Sequence, residues 1–165
     1  MIEPKIVVDE KPQPSLREAI LRPLRDYNAS KVGLVVVEPL AVFLRHPESD
    51  EIVGGLWGAS AADWLFIELL YVPDELRTRG IGSSLMRKAE EIAVKRGCIG
   101  IKLDTFTFQA PGFYEKLGYR IFGKLADHPK GHEQIYYFKN LTKKIEKAST
   151  TTNAISRCEG CGLPL

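Results

Sequence analysis

A chain of 165 residues with 44% hydrophobic content fits one compact domain, able to bury on the order of 70% of its unfolded surface, and leaves no room for a second catalytic domain. Twenty-three Lys and Arg against twenty-one Asp and Glu leave a net charge of +2, which excludes the global basic field that drives nucleic-acid binding and makes any anion site a local one. No run approaches the roughly 18 apolar residues of a membrane span, and the N-terminus lacks a basic start followed by an apolar stretch, so the expectation is a cytoplasmic protein with no membrane partner.

In chain order, residues 5–9 predict a short strand, and Pro14-Ser15-Leu16-Arg17-Glu18 opens a helix with Ser15 and Glu18 at capping-box spacing. Pro23 is expected to break or kink that helix early, with a second short helical piece through Asp26-Tyr27-Asn28. Runs 32–37 and 40–44 are β-rich and separated by Glu38-Pro39, and 52–57 follows the turn-like Pro47-Glu48-Ser49-Asp50, which reads as strand, turn, strand. Residues 64–72 predict a central strand whose only charged residue is Glu68. Over 83–96 an amphipathic helix is expected, with Leu85, Met86, Ala89, Ile92 and Ala93 on one face, Arg87, Lys88, Glu91 and Lys95 on the other, and Gly97 at the C-terminal cap. A strand over 99–103, a short helix over 113–117 stopped by Gly118, and strands over 119–122 and 134–139 complete the pattern. Antiparallel pairing early and a parallel step across the long helix imply a mixed sheet in an α/β (α+β) domain over 1–141, followed by a polar tail over 142–165.

The strand at 64–72 and the helix at 83–96 are joined by Arg77-Thr78-Arg79-Gly80-Ile81-Gly82. Gly80 and Gly82 can take backbone angles that other residues avoid and carry no Cβ to hold a ligand away, so successive N–H groups can converge on one anion at the helix start. Arg77 and Arg79 add positive charge there, and a pyrophosphate is the anion that fits. A mononucleotide P-loop is excluded because Gly82 is followed by Ser83-Ser84 with no lysine, and a dinucleotide fingerprint because Leu85 stands where its third glycine belongs. Taken alone, the six residues also read as a plain glycine turn.

Arg-x-x-Gly-x-Gly after a strand ending Tyr71-Val72-Pro73 resembles the acyl-CoA-binding motif of the GNAT superfamily of N-acyltransferases. Downstream, Phe113-Tyr114-Glu115-Lys116-Leu117-Gly118-Tyr119 is similar to that family's short helix, whose tyrosine faces the cofactor sulfur, and to the start of its next strand. The resemblance spans roughly 5–141 and includes Gly54-Gly55-Leu56-Trp57-Gly58, Asp104-Thr105-Phe106 and Phe108-Gln109-Ala110-Pro111, which look like a bacterial subgroup of acetyltransferases. It implies a mostly antiparallel sheet of six to seven strands flanked by about four helices. A parallel strand pair splays apart after a bulged strand to bind acyl-CoA.

The roles that follow from the resemblance are these. Main-chain groups of Leu70 and Val72 would pair with the pantetheine arm, and the Leu70 N–H would polarise the thioester carbonyl. Backbone N–H groups of Arg77, Thr78, Arg79, Gly80, Ile81 and Gly82 would bind the pyrophosphate, with hydroxyl contacts from Ser83 and Ser84. Tyr114 matches the tyrosine that protonates the leaving thiolate, its alternative being a ring packed over the cofactor. Many relatives hold the pantetheine with an asparagine where Thr107 stands here, and Gln109 is the nearby substitute. Glu68 is the candidate for deprotonating the incoming ammonium through water, if burial raises its pKa, and otherwise a solvated glutamate on a strand face. His128, His132 and Glu133 are placed in the loop before the last strand and Tyr27 and Asn28 in the helical region, as acceptor-side residues or bystanders.

Cys98 lies in an apolar run and reads as a buried, inert thiol. Cys158-Glu159-Gly160-Cys161 is half of a zinc site or a pair of exposed thiols in a loose tail, and no metal is expected. These readings converge on an enzyme transferring acetyl from acetyl-CoA to a primary amine of a small molecule by direct attack in a ternary complex, with a homodimer as the analogy from the superfamily. The alternative is a non-catalytic acyl-CoA-binding or interaction module.

Overall fold

The computed structural model describes residues 3–141; Cys158 and Cys161 lie outside the described residues. Two compact units divide the chain, one up to Val36 and one from Val37 onward.

The first unit holds α1 (Leu16–Val32), a single 17-residue helix with Pro23 inside it, where a break and a second helical piece were expected. Its Leu, Arg and Ala residues carry the helix through the one hydrogen bond that proline removes. The expected capping box is absent. Ser15 makes no side-chain cap, the N–H groups of Leu16, Arg17 and Glu18 go to the carbonyls of Gln13, Pro14 and Ser15, and the Glu18 carboxylate pairs with Arg25 at 3.2 Å. Residues 5–9 form no strand, and the β-rich run at 32–37 closes the helix and crosses Gly33 without pairing. Tyr27 and Asn28 lie on α1.

The second unit is built on six strands: β1 (Glu38–Arg45), β2 (Ile52–Ala61), β3 (Trp64–Tyr71), β4 (Gly100–Phe106), β5 (Arg120–Ala126) and β6 (Glu133–Asn140). Their order is β1-β2-β3-β4-β6-β5, and every neighbouring pair is antiparallel except β3 with β4. Helix α2 (Ile81–Lys95) makes the crossover between those two parallel strands, and α3 (Pro111–Lys116) connects β4 to β5. With a 3₁₀ turn at Asp74–Leu76, these are the helices among the described residues. None of them is long and apolar enough to cross a membrane. Pro39, expected between two strands, lies within β1; this is an edge strand, where one missing N–H is tolerated.

Helix α2 packs Leu85, Met86, Ala89 and Ala93 on a sheet face made of Leu56, Leu65, Ile67, Ile101 and Leu103, all nearly inaccessible. Its C-terminus closes as anticipated. Gly97 at φ +75° donates to the Val94 carbonyl and Cys98 to that of Ala93, a Schellman pair that needs a left-handed residue. Arg96, beside that cap, donates to the carbonyls of Glu38 and Pro39, each at 2.9 Å, and pins the start of β1 to the helix end.

One irregularity sets the geometry of the sheet centre. Trp57 faces Leu69 and Gly58 faces Ile67, so Glu68 is an extra residue in β3, a β-bulge. A Cβ on Gly58 would collide with the Phe66 carbonyl oxygen and crowd the Ile67 Cα at 3.2 Å, so the bulge is matched by a residue with no side chain. Gly58→Ala is therefore expected to cost roughly 2–3 kcal/mol, read as a lower urea midpoint at unchanged m-value. An unchanged midpoint would mean that the strand pair tolerates the methyl and that the bulge does not depend on glycine.

Candidate active site

The parallel ladder runs from Trp64 with Gly100 to Ile67 with Leu103 and stops there. The bulge at Glu68 bends β3 away, while β4 continues alongside β6 as far as Phe106 with Gln134. Two strand edges that would have bonded to each other thus face across a gap. A cleft of about 790 Å³ opens at this fork, a size suited to a small organic ligand. Its walls include Glu68, Leu70 and Val72 from the β3 side, Leu103, Asp104 and Thr105 from β4, Arg77, Thr78, Gly80, Ile81, Gly82 and Ser83 at one end, and Gln109, Phe113 and Tyr114 from the α3 side.

The turn ending at α2 has the backbone its sequence calls for. Arg77 is extended at ψ 165°, Thr78 has φ +62° and Gly80 is left-handed at φ +76°. A β-branched residue at positive φ is strained, and the Thr78 hydroxyl is tied to the Arg77 carbonyl at 2.6 Å. The first bonded amide of the helix is Ser84, which donates to the Gly80 carbonyl; the N–H groups of Ile81, Gly82 and Ser83 have no acceptor among the described residues. They point from a helix N-terminus beside the cleft, the arrangement that binds anions. A Cβ on Gly82 would stand 3.2 Å from the Phe113 ring, so this glycine also lets α3 approach α2.

The side chains expected to surround this anion site divide. The Arg77 Nε donates to the Val72 carbonyl at 3.0 Å and its guanidinium pairs with Asp74 at 2.8 Å, so it braces the loop and offers only part of its charge. Arg79 and Ser84 are exposed and do not line the cleft. The Ser84 hydroxyl is engaged with the Gly80 carbonyl and accepts from Arg87 at 2.8 Å.

Tyr114 enters the cleft from α3 and is 8% exposed. Its ring is held by Phe113 at 5.0 Å, Tyr137 at 5.7 Å and Tyr119 at 6.2 Å, while its hydroxyl has no hydrogen-bond partner among the described residues. Burial, and after it the negative charge of Asp104, push its phenol up to about 12. Glu68 is the bulge residue at the fork, where a base would have to stand, but it is exposed. The condition on which it was expected to act, withdrawal from water, is not met. Gln109 lines the cleft with its carboxamide oxygen occupied by the Thr105 hydroxyl at 2.7 Å and the Phe106 N–H at 3.0 Å, which leaves only its NH₂ group for a ligand.

Thr107 is turned to the other side, accepting from the Glu133 N–H at 3.1 Å and lying 3.4 Å from His132. His132 and His128 touch the rings of Phe108 and Phe106, next to the cleft and outside its lining. Asp104 is a cleft residue with no assigned role in the sequence reading; Gln134 donates to it at 2.6 Å. Its position at the fork could have been read from the alternation along β4, had the end of the parallel ladder been known. Among the described residues no group of His, Cys, Asp and Glu is arranged to hold a metal ion.

Comparison with known proteins bears on the same elements. The model of the acetyltransferase (GNAT) family matches residues 7–119. The chain is 38% identical over 118 residues to the blasticidin-S acetyltransferase of Streptomyces morookaense, an alignment covering 70% of this chain and 83% of that protein. The crystal structure of an acetyltransferase from Bacillus cereus superposes with a TM-score of 0.73 at 35% identity, over 82% of this chain and 98% of the other. A Bacillus anthracis structure in complex with acetyl coenzyme A superposes with a TM-score of 0.50 at 27% identity, over 56% of this chain and 58% of that one.

The buried phenol makes the fold sensitive to alkali. An unfolded tyrosine ionises near pH 10, whereas native Tyr114 holds its proton to about 12. Between those values the unfolded chain binds fewer protons than the native one, so stability present below pH 10 is lost as the pH rises, by about 3 kcal/mol for this group. Tyr119, raised by burial and by Glu90, adds in the same direction. The urea midpoint should fall between pH 10 and 12 in step with tyrosinate absorbance, and Tyr114→Phe should flatten part of that fall. A midpoint constant over this range would show that these phenols titrate normally.

Proposed function

The chain belongs to the GNAT acetyltransferase family, and we propose that it is a cytoplasmic N-acetyltransferase which transfers acetyl from acetyl-CoA to a primary amine of a small molecule by direct attack in a ternary complex. One observation carries the reading: a phenol with a free hydroxyl and an anion-binding helix start face the same gap between splayed parallel strands. The name of the relative that acetylates blasticidin S supports a small-molecule acceptor.

The residues present fit acetyl-CoA. Free N–H groups at Ile81, Gly82 and Ser83, with Arg77 behind them, suit its pyrophosphate, and the edge left without a β4 partner at Leu70 and at Val72 just past the end of β3 suits an extended arm laid in the fork. The Val72 carbonyl already accepts from Arg77, which leaves it one lone pair beside its N–H for the arm. When bound, acetyl-CoA supplies an activated acyl group on a thiol leaving group. With a pKa of about 12, Tyr114 keeps its proton throughout the neutral range and can donate it. Complete transfer to a thiolate of ordinary basicity, about 8.5, is uphill, so Tyr114 would act chiefly by hydrogen-bonding the sulfur, whose proton would come through solvent from the nitrogen as the amide forms. The Leu70 N–H is the donor for the carbonyl oxygen.

Because Glu68 is exposed at the bulge and not withdrawn from water, the ammonium would lose its proton to solvent before attack, with the Glu68 carboxylate in the cleft wall beside it. Direct attack is favoured over a covalent acyl-enzyme because Cys98, the cysteine among the described residues, is 2% exposed, raised in pKa by burial, and outside the cleft.

The test is thiol release from acetyl-CoA with a mixture of blasticidin S, spermidine, L-lysine, tyramine and kanamycin, with acetyl-CoA binding measured calorimetrically on the same protein. Tyr114→Phe should lower turnover about 100-fold while leaving acetyl-CoA affinity within about twofold. Gly82→Glu should abolish binding, since its side chain would enter a space already closed by Phe113 and set a carboxylate at the anion site. Binding without turnover on any amine would favour the non-catalytic acyl-CoA-binding module instead, and absence of binding would overturn the cofactor assignment.

A further inference from the structure

Helix α2 carries one carboxylate on its buried face. Glu90 is 5% exposed beside Ala89 and Ala93, where the amphipathic pattern calls for an apolar side chain. Two donors converge on its Oε1, the Lys139 ammonium at 2.7 Å and the Tyr119 hydroxyl at 3.3 Å. Lys139 also donates to the Leu117 carbonyl at 2.8 Å and lies 5.3 Å from the centre of the Tyr119 ring. Well-packed apolar residues commonly stabilise such a site as well as a buried ion pair does, so the pair calls for an explanation in what it orients.

Of the partners of Glu90, Tyr119 contacts Tyr114 directly and Lys139 reaches it through Leu117. The N–H groups of Leu117 and Tyr119 both donate to the Tyr114 carbonyl, at 3.0 and 3.1 Å, and the Tyr119 ring meets the Tyr114 ring at 76°. Helix α3 has six residues and no side-chain cap, too little to fix the direction of its own tyrosine. Glu90 rides on the helix whose first turn carries the free N–H groups of Ile81, Gly82 and Ser83. The network therefore connects the frame of the phenol to the element that would hold the pyrophosphate.

We propose that Glu90, Lys139 and Tyr119 are positioning residues that set where the Tyr114 hydroxyl stands relative to the anion-binding start of α2. This rests on the role proposed for Tyr114. A hydroxyl that stabilises a leaving group must lie within hydrogen-bond reach of it, and misplacement by about 1 Å can cost on the order of 100-fold in rate.

The experiment is a mutant cycle read by turnover of acetyl-CoA with the same amine mixture. Glu90→Gln with Lys139→Met removes both charges together, so that neither is left buried alone, and Tyr119→Phe removes only the hydroxyl and carries the test if the double variant does not fold. Each is made in the wild type and in Tyr114→Phe. The expected result is a loss of about tenfold in the wild type, no further loss in Tyr114→Phe, and acetyl-CoA affinity unchanged within about twofold in both. An equal loss in both backgrounds would show that the network acts through general stability and would overturn the inference while leaving the proposed function intact. Wild-type turnover in Tyr114→Phe itself, or none in the wild type, would remove the reading beneath it and the inference with it.

Discussion

The end of the parallel ladder after Ile67 and Leu103 is the constraint on which the rest of this molecule depends. Two parallel strands in the middle of a sheet would ordinarily satisfy each other along their whole length, since unpaired buried backbone is costly. Here β3 gains one residue at Glu68 and turns aside, and β4 pairs on its other edge with β6. The separation leaves an opening inside a sheet that remains intact on both sides, so the walls of the cleft are main chain held in place by strand partners.

Helix α2 converts this opening into a site with direction. Its apolar face is committed to the sheet through Leu85, Met86, Ala89 and Ala93, and its C-terminus is closed by Gly97, so its N-terminus has little freedom in where it points. That end presents free amides and a partial positive charge to one end of the fork. Glu68 and Asp104, from the two diverging strands, bring negative charge to the same cleft. Free amides at one end and carboxylates at the fork thus meet in one cleft on a chain whose net charge is only +2. This end of the cleft is made of backbone amides more than of free cationic side chains, since Arg77 is paired to Asp74 and Arg79 does not line the cleft.

Tyr114 belongs to a different kind of structure, an aromatic group with Phe113, Tyr119 and Tyr137 around it and an ion pair behind it. Burial supplies the rigidity and, by the same act, raises the phenol's pKa. These two consequences cannot be separated, and they favour hydrogen-bond donation over full proton release.

Local chemistry made much of this readable in advance. The apolar run at 64–72, the amphipathic period over 83–96, and the glycines at 80, 97 and 118 determined by themselves a strand, a turn with left-handed residues, and a helix with a defined end. Those features depend on backbone preferences and periodicity within a few residues. Other features were decided only by tertiary structure. Glu68 is a bulge because Gly58 on another strand makes room for it, and Glu90 is buried because Tyr119 and Lys139, 29 and 49 residues away in the chain, converge on it. The Ser84 hydroxyl and the Gln109 oxygen are engaged by neighbouring groups, Arg79 does not line the cleft, and Pro39 lies inside a strand because that strand is at an edge. For Glu68, Glu90 and Pro39 the outcome is set by how distant segments pair and pack, of which a single linear sequence carries no direct signal, whereas Ser84 and Gln109 are engaged by partners only three and four residues away.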